Sequence, residues 1–286
     1  MTATSPAEVR YAANLTLLFA ELPLLERPAA ARAAGFEQVE FWWPFATDPA
    51  PPAATVDAFV DAVGAAGVSL LAMNLFAGDM PAGERGVLSY PARTSEFRES
   101  VGVAMDIARR LGVRLFNAPY GHRSSDVDTD IQDRTATENL VFAMTAAREL
   151  HGTILLEPLS GMPRYPLKTL DDAVGALDRV RAAGGPNNLR LLLDQYHLAA
   201  GGHDLATGID AHGDLIAHVQ LADVPGRAEP GSGSFDIVGT VRKLLRRGYD
   251  GAFALEYVPP DSTSASLARW RDELGRWADT TADEKG

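Results

Sequence analysis

Short apolar segments alternate with longer amphipathic segments along the chain. Eight of the apolar segments are four to six residues long and rich in Val, Leu, Ile and Phe, without regular alternation with polar residues. This pattern is typical of parallel strands that are buried on both faces. It predicts strands at residues 10–15, 38–41, 68–73, 113–118, 153–157, 189–194, 216–221 and 252–256.

The amphipathic segments between these strands carry apolar residues at helical spacing. In residues 55–66, for example, Val56, Phe59 and Val63 share one face of a helix. This segment and several others stop at a glycine, here Gly67, shortly before the next strand, which is typical of a helix end in a repeated βα unit. The predicted helices are residues 23–34, 55–66, 94–111, 135–150, 170–183, 235–247 and 264–278, with room for a short helix in 204–213.

The order of these elements predicts the fold. Eight βα units in 286 residues, with no Pro/Ser-rich linker between them, favour one α/β domain closed into a (β/α)8 TIM barrel. An open doubly wound sheet is the alternative, but it would carry a glycine-rich turn after the first strand, and residues 14–20 contain no glycine. We expect the barrel to span residues 10–278, between an N-terminal tail, 1–9, and a C-terminal tail, 279–286.

Composition and charge exclude several classes of function. The 26 basic and 38 acidic side chains give a net charge of −12, which argues against binding to nucleic acid. The absence of cysteine excludes disulfides, thiolate metal sites and a cysteine nucleophile. Residues 1–10 do not resemble a secretory signal, and no apolar run approaches the ~20 residues that span a bilayer. We therefore expect a cytoplasmic protein with no membrane partner, and the sequence leaves homo-oligomerisation open.

Oxygen donors stand at the ends of four successive predicted strands. They are Glu157, Asp194, Gln220 and Glu256. In barrels of this type the carboxyl ends of the strands carry the active site, so these side chains are expected to converge. Three carboxylates at one point would repel one another unless a cation lay between them. Hard oxygen ligands favour Mg²⁺ or Mn²⁺, although transition metals remain open. The alternative is that each acid is a helix cap or a salt-bridge partner.

A histidine and an arginine near these donors are further candidates for the site. His197 follows Asp194 by three residues and is a candidate substrate ligand, or else a hydrogen-bonded barrel residue. Arg227 lies in a glycine- and proline-rich segment, 225–233, after the seventh strand. It could hold a substrate carboxylate in a bidentate contact, or belong to an ordinary surface loop.

Asn74 and Glu40 complete the predicted substrate-binding set. Asn74 begins a long loop, residues 74–86, after the third strand. A loop of this length on the active face is more often a binding loop than a bare connection. Glu40 lies near the end of the second strand, where a buried polar tie between strands is the alternative role.

The motifs together resemble those of the hydroxypyruvate isomerase family, in the xylose-isomerase-like TIM barrel superfamily. The similarity extends from about residue 10 to about residue 273, and Gln220 favours this family over the keto-sugar 3-epimerases, which usually have His there. Ser160 departs from the family pattern, as does the segment 160–166 that follows Glu157-Pro158. The matching segments are ANLTLLF (13–19), GFEQVEF (35–41), NLFAGDMPAGERG (74–86), Glu157-Pro158, DQYH (194–197), HVQLAD (218–223), RAEPG (227–231) and Glu256-Tyr257.

The resemblance implies an aldose–ketose isomerase acting on a small hydroxycarbonyl acid, hydroxypyruvate, by proton transfer through an enediolate. It implies that Glu157 and Glu256 serve as acid and base and, with Asp194 and Gln220, as metal ligands. The alternatives are a 2-oxo-tetronate isomerase, a keto-sugar 3-epimerase and a non-catalytic sugar-binding barrel. A DNA nuclease of the endonuclease IV type is disfavoured, because it needs more histidine ligands than six scattered residues provide.

Overall fold

The computed structural model describes residues 9–269, and in this part of the chain eight parallel strands close into a barrel in chain order. β1 pairs with both β2 and β8, so the sheet has no free edge. The predicted α/β barrel is therefore confirmed. The strands are β1 (Tyr11–Asn14), β2 (Gln38–Phe41), β3 (Ser69–Asn74), β4 (Leu115–Asn117), β5 (Thr153–Leu156), β6 (Leu189–Asp194), β7 (Ile216–Leu221) and β8 (Phe253–Leu255).

Helices fill the connections between the strands and cover the outside of the barrel. Residues 263–269 are also helical. Both predicted tails, apart from residue 9, and the rest of the last predicted helix lie outside the described residues. None of the helices within 9–269 has the length and apolar character needed to cross a bilayer. The helices are α1 (Arg27–Ala33), α2 (Ala53–Ala66), α3 (Thr94–Leu111), α4 (Thr129–Arg148), α5 (Leu170–Ala182), α6 (Gln195–Ala200), α7 (Leu205–His212) and α8 (Ile237–Arg246).

Three helices differ from the sequence-based expectation. α1 begins at Arg27 instead of residue 23, since Leu24–Glu26 form a separate 3-10 turn, and an aspartate cap explains the other two differences. α4 begins at Thr129 instead of residue 135, because the Asp128 carboxylate accepts a hydrogen bond from the Asp130 N–H. α6 was not predicted at all. It begins directly after β6, where Asp194 accepts hydrogen bonds from the N–H groups of Tyr196 and His197. A capping side chain satisfies N–H groups that the first helical turn leaves without partners.

The core explains why the apolar pattern predicted the strands well. Strand residues are buried on both faces, inside the barrel and beneath the helices. On the outside, α2 buries Val56, Phe59, Val60 and Val63 along one face and ends at Gly67, whose φ of 66° suits a residue without a Cβ. Because every strand runs in the same direction, all eight carboxyl ends meet at one rim of the barrel.

Candidate active site

A cavity of about 300 Å³ opens at the carboxyl-terminal rim of the barrel. This volume is at the small end of the range for ligand sites. Five of the eight predicted site residues line the cavity, namely Asn74, Glu157, His197, Arg227 and Glu256. The other three, Asp194, Gln220 and Glu40, are buried beside them, each no more than 3% exposed. The structure thus brings the predicted set together at one end of the barrel.

Glu157 follows β5 and is held at one oxygen only. Its Oε2 accepts a hydrogen bond of 2.7 Å from the Asn117 side chain at the end of β4. Its Oε1 lies 4.0 Å from His197 Nε2, toward the cavity. Burial, with the nearby charge of Asp194, raises the pKa of Glu157 to about 8. The carboxyl group therefore holds a proton near neutral pH in the protein without ligands.

Asp194 and His197 extend this cluster. Single donor atoms of Glu157, Asp194 and His197 lie within 4.8 Å of one another. The Ser160 N–H donates to His197 Nδ1, and Arg227 Nη1 lies 3.3 Å from Nε2. Burial lowers the pKa of His197 to about 4. His197 is therefore a neutral imidazole, the form that binds metal ions or accepts hydrogen bonds.

Glu256 directly follows β8 and forms the other part of the acidic cluster. Its Oε1 accepts hydrogen bonds from the Trp42 indole, at 2.9 Å, and from Arg227. Its Oε2 is buried and has no hydrogen-bond partner among the described residues. Burial raises the pKa of Glu256 well above the usual range, although the charge of Arg227 opposes the shift.

Arg227 is the cation that holds these acids together. Its Nη2 donates to Asp194 Oδ2, at 2.7 Å, and also to Glu256 Oε1. Its Nε donates to the Glu256 carbonyl oxygen. The backbone of Arg227 has a φ of 56°, which a residue with a Cβ adopts only where contacts compensate for the strain. These paired contacts are the compensation.

The loop that carries Arg227 is itself firmly held. The Asp223 carboxylate, fully buried, accepts hydrogen bonds from four N–H groups of the segment, those of Val224, Gly231, Gly233 and Phe235. A Cβ at Gly233 would lie 2.2 Å from the Val224 carbonyl oxygen, so only glycine fits there. The glycine- and proline-rich composition thus produces a compact, hydrogen-bonded loop.

Gln220 and Glu40 form a polar layer beneath the cavity. Gln220 Nε2 and Asn14 Nδ2 each donate to Glu40 Oε1 at 2.8 Å, and His218 Nε2 contacts Glu40 Oε2. Burial alone would raise the pKa of Glu40, but these contacts, led by His218, hold it below its usual value. Glu40 does not line the cavity. The Gln220 amide thus donates to Glu40 through its nitrogen, while its buried Oε1 has no hydrogen-bond partner among the described residues.

The donor set fits a divalent cation. Glu157, Asp194 and His197 offer ligand atoms within reach of one another, and two nearby buried oxygens, Gln220 Oε1 and Glu256 Oε2, have no partner in residues 9–269. Buried polar atoms without partners are costly, so their grouping beside a carboxylate cluster is an observation in favour of a cation site. The cluster combines carboxylate and amide oxygens with one imidazole, which suits several divalent metals.

Several residues of the site were not identified from the sequence. Asn117 and Trp42 hold the two glutamates, and Asn14 holds Glu40. Asn14 and Asn117 each end a strand, as the predicted donors do, so the same strand-end pattern offered a signal for them. Trp42 follows β2 directly but offered no signal of its own. Arg85, which also lines the cavity, lies inside the predicted binding loop.

The raised pKa of Glu157 predicts how stability depends on pH. Between the ordinary glutamate pKa, near 4.5, and about 8, the folded protein keeps a proton that the unfolded chain loses. We therefore expect the free energy of unfolding, measured by denaturant titration in a chelating buffer, to fall as the pH rises from 5 to 8. The slope reaches at most about 1.4 kcal/mol per pH unit for one group. Glu157→Gln should flatten it, and an equal slope in that variant would contradict the assignment.

Comparison with known proteins agrees with this geometry. Residues 28–278 match the family model described as the xylose isomerase-like TIM barrel, and the chain belongs to this family. Within it, the chain is 46% identical to the "Putative hydroxypyruvate isomerase" of Streptomyces coelicolor, over 92% of this chain and 96% of the relative. The resemblance to the hydroxypyruvate isomerase family is thereby confirmed.

Two further proteins are similar to most of the chain. The chain is 35% identical to the 2-oxo-tetronate isomerase of Cupriavidus necator, over 93% of this chain and 99% of that protein. A crystal structure named as an AP endonuclease, family 2, from Brucella melitensis superposes with a TM-score of 0.82 at 32% identity, covering 93% of this chain and 99% of that one.

Proposed function

We propose that this protein is an aldose–ketose isomerase that interconverts hydroxypyruvate and tartronate semialdehyde. The observation that carries the proposal is the pair Glu157 and Glu256, two buried carboxyl groups that line one small cavity and have raised pKa values. A pair of such groups is what a reaction needs when a proton leaves one carbon and another reaches its neighbour. The name of the Streptomyces coelicolor relative supports the choice of substrate.

We propose that a divalent cation, Mg²⁺ or Mn²⁺, is held by Glu157, Asp194, Gln220 and Glu256. When bound, it would supply positive charge for the substrate oxygens and lower the pKa of the carbon acid. The grouping of unpartnered oxygens described above supports this set. His197 is a neutral donor or acceptor beside it and is assigned to the substrate oxygens, as is Asn74, whose side chain lines the cavity.

The chemistry assigned to the protein is a proton shift. One glutamate, as the carboxylate, removes a proton from C3 of hydroxypyruvate, and the other, as the carboxylic acid, delivers a proton to C2. The C3 hydroxyl proton passes to the oxygen on C2, so the products contain the same atoms as the substrate. The burial of Glu157 and Glu256 keeps bulk water from competing for these protons.

The test is turnover of purified protein on a panel of substrates. Hydroxypyruvate should give tartronate semialdehyde, 2-oxo-tetronate should react with a lower kcat/KM, and ketohexoses should not epimerise at C3. A higher kcat/KM for 2-oxo-tetronate would transfer the assignment to that isomerase, which the Cupriavidus necator relative favours as the second candidate. Exclusive C3 epimerisation of ketohexoses, or ligand binding without turnover, would overturn the isomerase proposal.

The name of the Brucella melitensis structure raises nuclease activity as another possibility, and the site argues against it. In the cavity of the described chain, His197 is the one histidine that lines the wall, and the net charge of −12 disfavours DNA. We expect no cleavage of a duplex that contains an abasic site.

Glu40 is assigned a positioning role instead of a substrate contact. As a carboxylate it only accepts hydrogen bonds, so it fixes the Gln220 amide with its nitrogen on Glu40 and leaves Oε1 free for another partner. In Glu40→Gln, the new amide can donate as well as accept, so it no longer fixes the orientation of the Gln220 amide. We expect Mn²⁺ to bind about 10- to 100-fold more weakly in this variant, measured by electron paramagnetic resonance titration.

A matched control separates positioning from general damage. Asp133→Asn removes another partly buried carboxylate that accepts from Tyr120 and Arg123 outside the cavity. It should leave Mn²⁺ affinity unchanged. Unaltered affinity in Glu40→Gln, with the variant folded by circular dichroism, would contradict the role of Glu40.

A further inference from the structure

Arg85 is a cavity-lining arginine without an acidic partner. It lies at the end of the loop after β3, and the part of the chain that the structure describes forms no ion pair with it. Its Nη1 donates to the carbonyl oxygens of Met80 and Glu84, at 3.0 and 2.6 Å. Within residues 9–269, its Nε and Nη2 have no hydrogen-bond partner. One edge of the guanidinium therefore remains available for a ligand.

Arg227, the other cavity arginine, does not have this freedom. Its Nη2 is bound to Asp194 and Glu256, and its Nε is bound to the Glu256 carbonyl oxygen. Its remaining nitrogen, Nη1, faces His197. To grip a substrate carboxylate with two parallel hydrogen bonds, Arg227 would first have to break these contacts, whereas Arg85 could use its free edge without breaking any.

The loop holds Arg85 in place before any ligand binds. The preceding residue, Glu84, accepts hydrogen bonds from the Asp79 N–H and from Arg93. The following residue, Gly86, has a φ of 119°, and a Cβ there would lie 1.9 Å from the Pro119 carbonyl oxygen. The backbone on both sides of Arg85 is thus fixed against the rest of the rim. A guanidinium that is ordered in advance loses little entropy when it binds an anion.

The charges around Arg85 also favour an anion. Burial and the positive charge of Arg227 both lower the pKa of Arg85. Two guanidinium groups that repel each other across a small cavity gain when a negative charge enters between them. The apolar side chains of Met80, Leu159 and Met162 line the same cavity and limit the water that would screen the contact.

We propose that Arg85 binds the carboxylate of the substrate and makes the cavity selective for small 2-oxo and 2-hydroxy carboxylic acids over neutral sugars. The proposal rests on the proposed isomerase function for its kinetic consequences, and on geometry alone for the binding of the acid. The Arg85 fork matches a planar carboxylate, and charged hydrogen bonds of this kind are the strong ones.

The kinetic test compares Arg85→Met with Arg190→Met. Arg190 is a matched control, because its Nη1 also donates to two carbonyl oxygens, those of Asn187 and Leu189, and it does not line the cavity. We expect Arg85→Met to raise KM for hydroxypyruvate about 10- to 100-fold, with a smaller change in kcat. Arg190→Met should leave both constants unchanged. In Arg85→Ala, added guanidinium ion should restore part of the loss, which a merely structural role would not allow.

The binding test does not depend on turnover. Ligand-observed NMR would measure the affinity of pyruvate, an anion, and of dihydroxyacetone, a neutral three-carbon ketone that has no carboxylate. Arg85→Met should weaken pyruvate binding about 10- to 100-fold and leave dihydroxyacetone binding unchanged. Equal affinities for pyruvate in wild type and variant, or equal losses for both ligands, would overturn the role of Arg85. If the wild type binds pyruvate through Arg85 but does not isomerise hydroxypyruvate, the isomerase proposal fails and the carboxylate site stands.

Discussion

Glu157→Gln and Glu256→Gln are each expected to lower kcat for hydroxypyruvate by about 10²- to 10⁴-fold, the usual contribution of a positioned acid or base. Glutamine keeps the shape of the side chain, including an oxygen for the Asn117 or Trp42 hydrogen bond, but it cannot take up or release a proton. KM should change less than kcat, because the lost interaction belongs to the proton-transfer step. Initial rates of tartronate semialdehyde formation measure both constants.

Glu229→Gln is the matched control for these variants. Glu229 is as buried as Glu157, each 8% exposed, but it accepts hydrogen bonds from Ser266 and Arg269 and does not line the cavity. Its replacement should change kcat less than tenfold. Full activity in both Glu157→Gln and Glu256→Gln would exclude the mechanism with two glutamates. Loss in only one of them would assign both proton transfers to that residue.

The barrel could be predicted from the sequence because its signals are local. Each strand is a short apolar run that is buried on both faces, and glycines such as Gly67 and Gly112 end helices in the left-handed conformation. The strand ends follow from the same pattern. Glu157, Asp194 and Glu256 therefore fall at the predicted rim, since parallel strands in a closed barrel bring all their carboxyl ends together.

The interactions inside the site could not be predicted, because they depend on partners far apart in the chain. Arg227 was assigned to a substrate carboxylate from its loop alone, and nothing local indicates that it bonds Asp194 and Glu256. Glu40 likewise meets His218 and Gln220, about 180 residues away, only after the barrel closes. The absence of an acidic partner for Arg85 among the described residues likewise emerges only from the structure, in which Asp194 and Glu256 are paired with Arg227.

Removal of divalent cations is expected to lower activity at least 10²-fold, and Mn²⁺ or Mg²⁺ should restore it. Without a cation, burial and neighbouring acids raise the pKa of Glu157 to about 8 and also raise the pKa of Glu256, which disfavours the carboxylate form that acts as a base. A bound ion would favour the carboxylate form, so metal affinity should increase from pH 6 to 8 as competing protons are lost. Dialysis against a chelator, followed by metal titration at several pH values, measures both effects.

Thermal unfolding provides a second test of cation binding that does not require turnover. A ligand at 100 times its Kd stabilises the folded state by about 2.7 kcal/mol, so saturating Mn²⁺ should raise Tm by several degrees. Asp194→Asn should abolish this rise, since it removes a carboxylate from the centre of the donor cluster. Asp133→Asn, outside the cavity, should retain it. Full activity after chelation, in protein shown by elemental analysis to contain no metal, would mean that Arg227 alone supplies the positive charge between Asp194 and Glu256, and the cation site would be excluded.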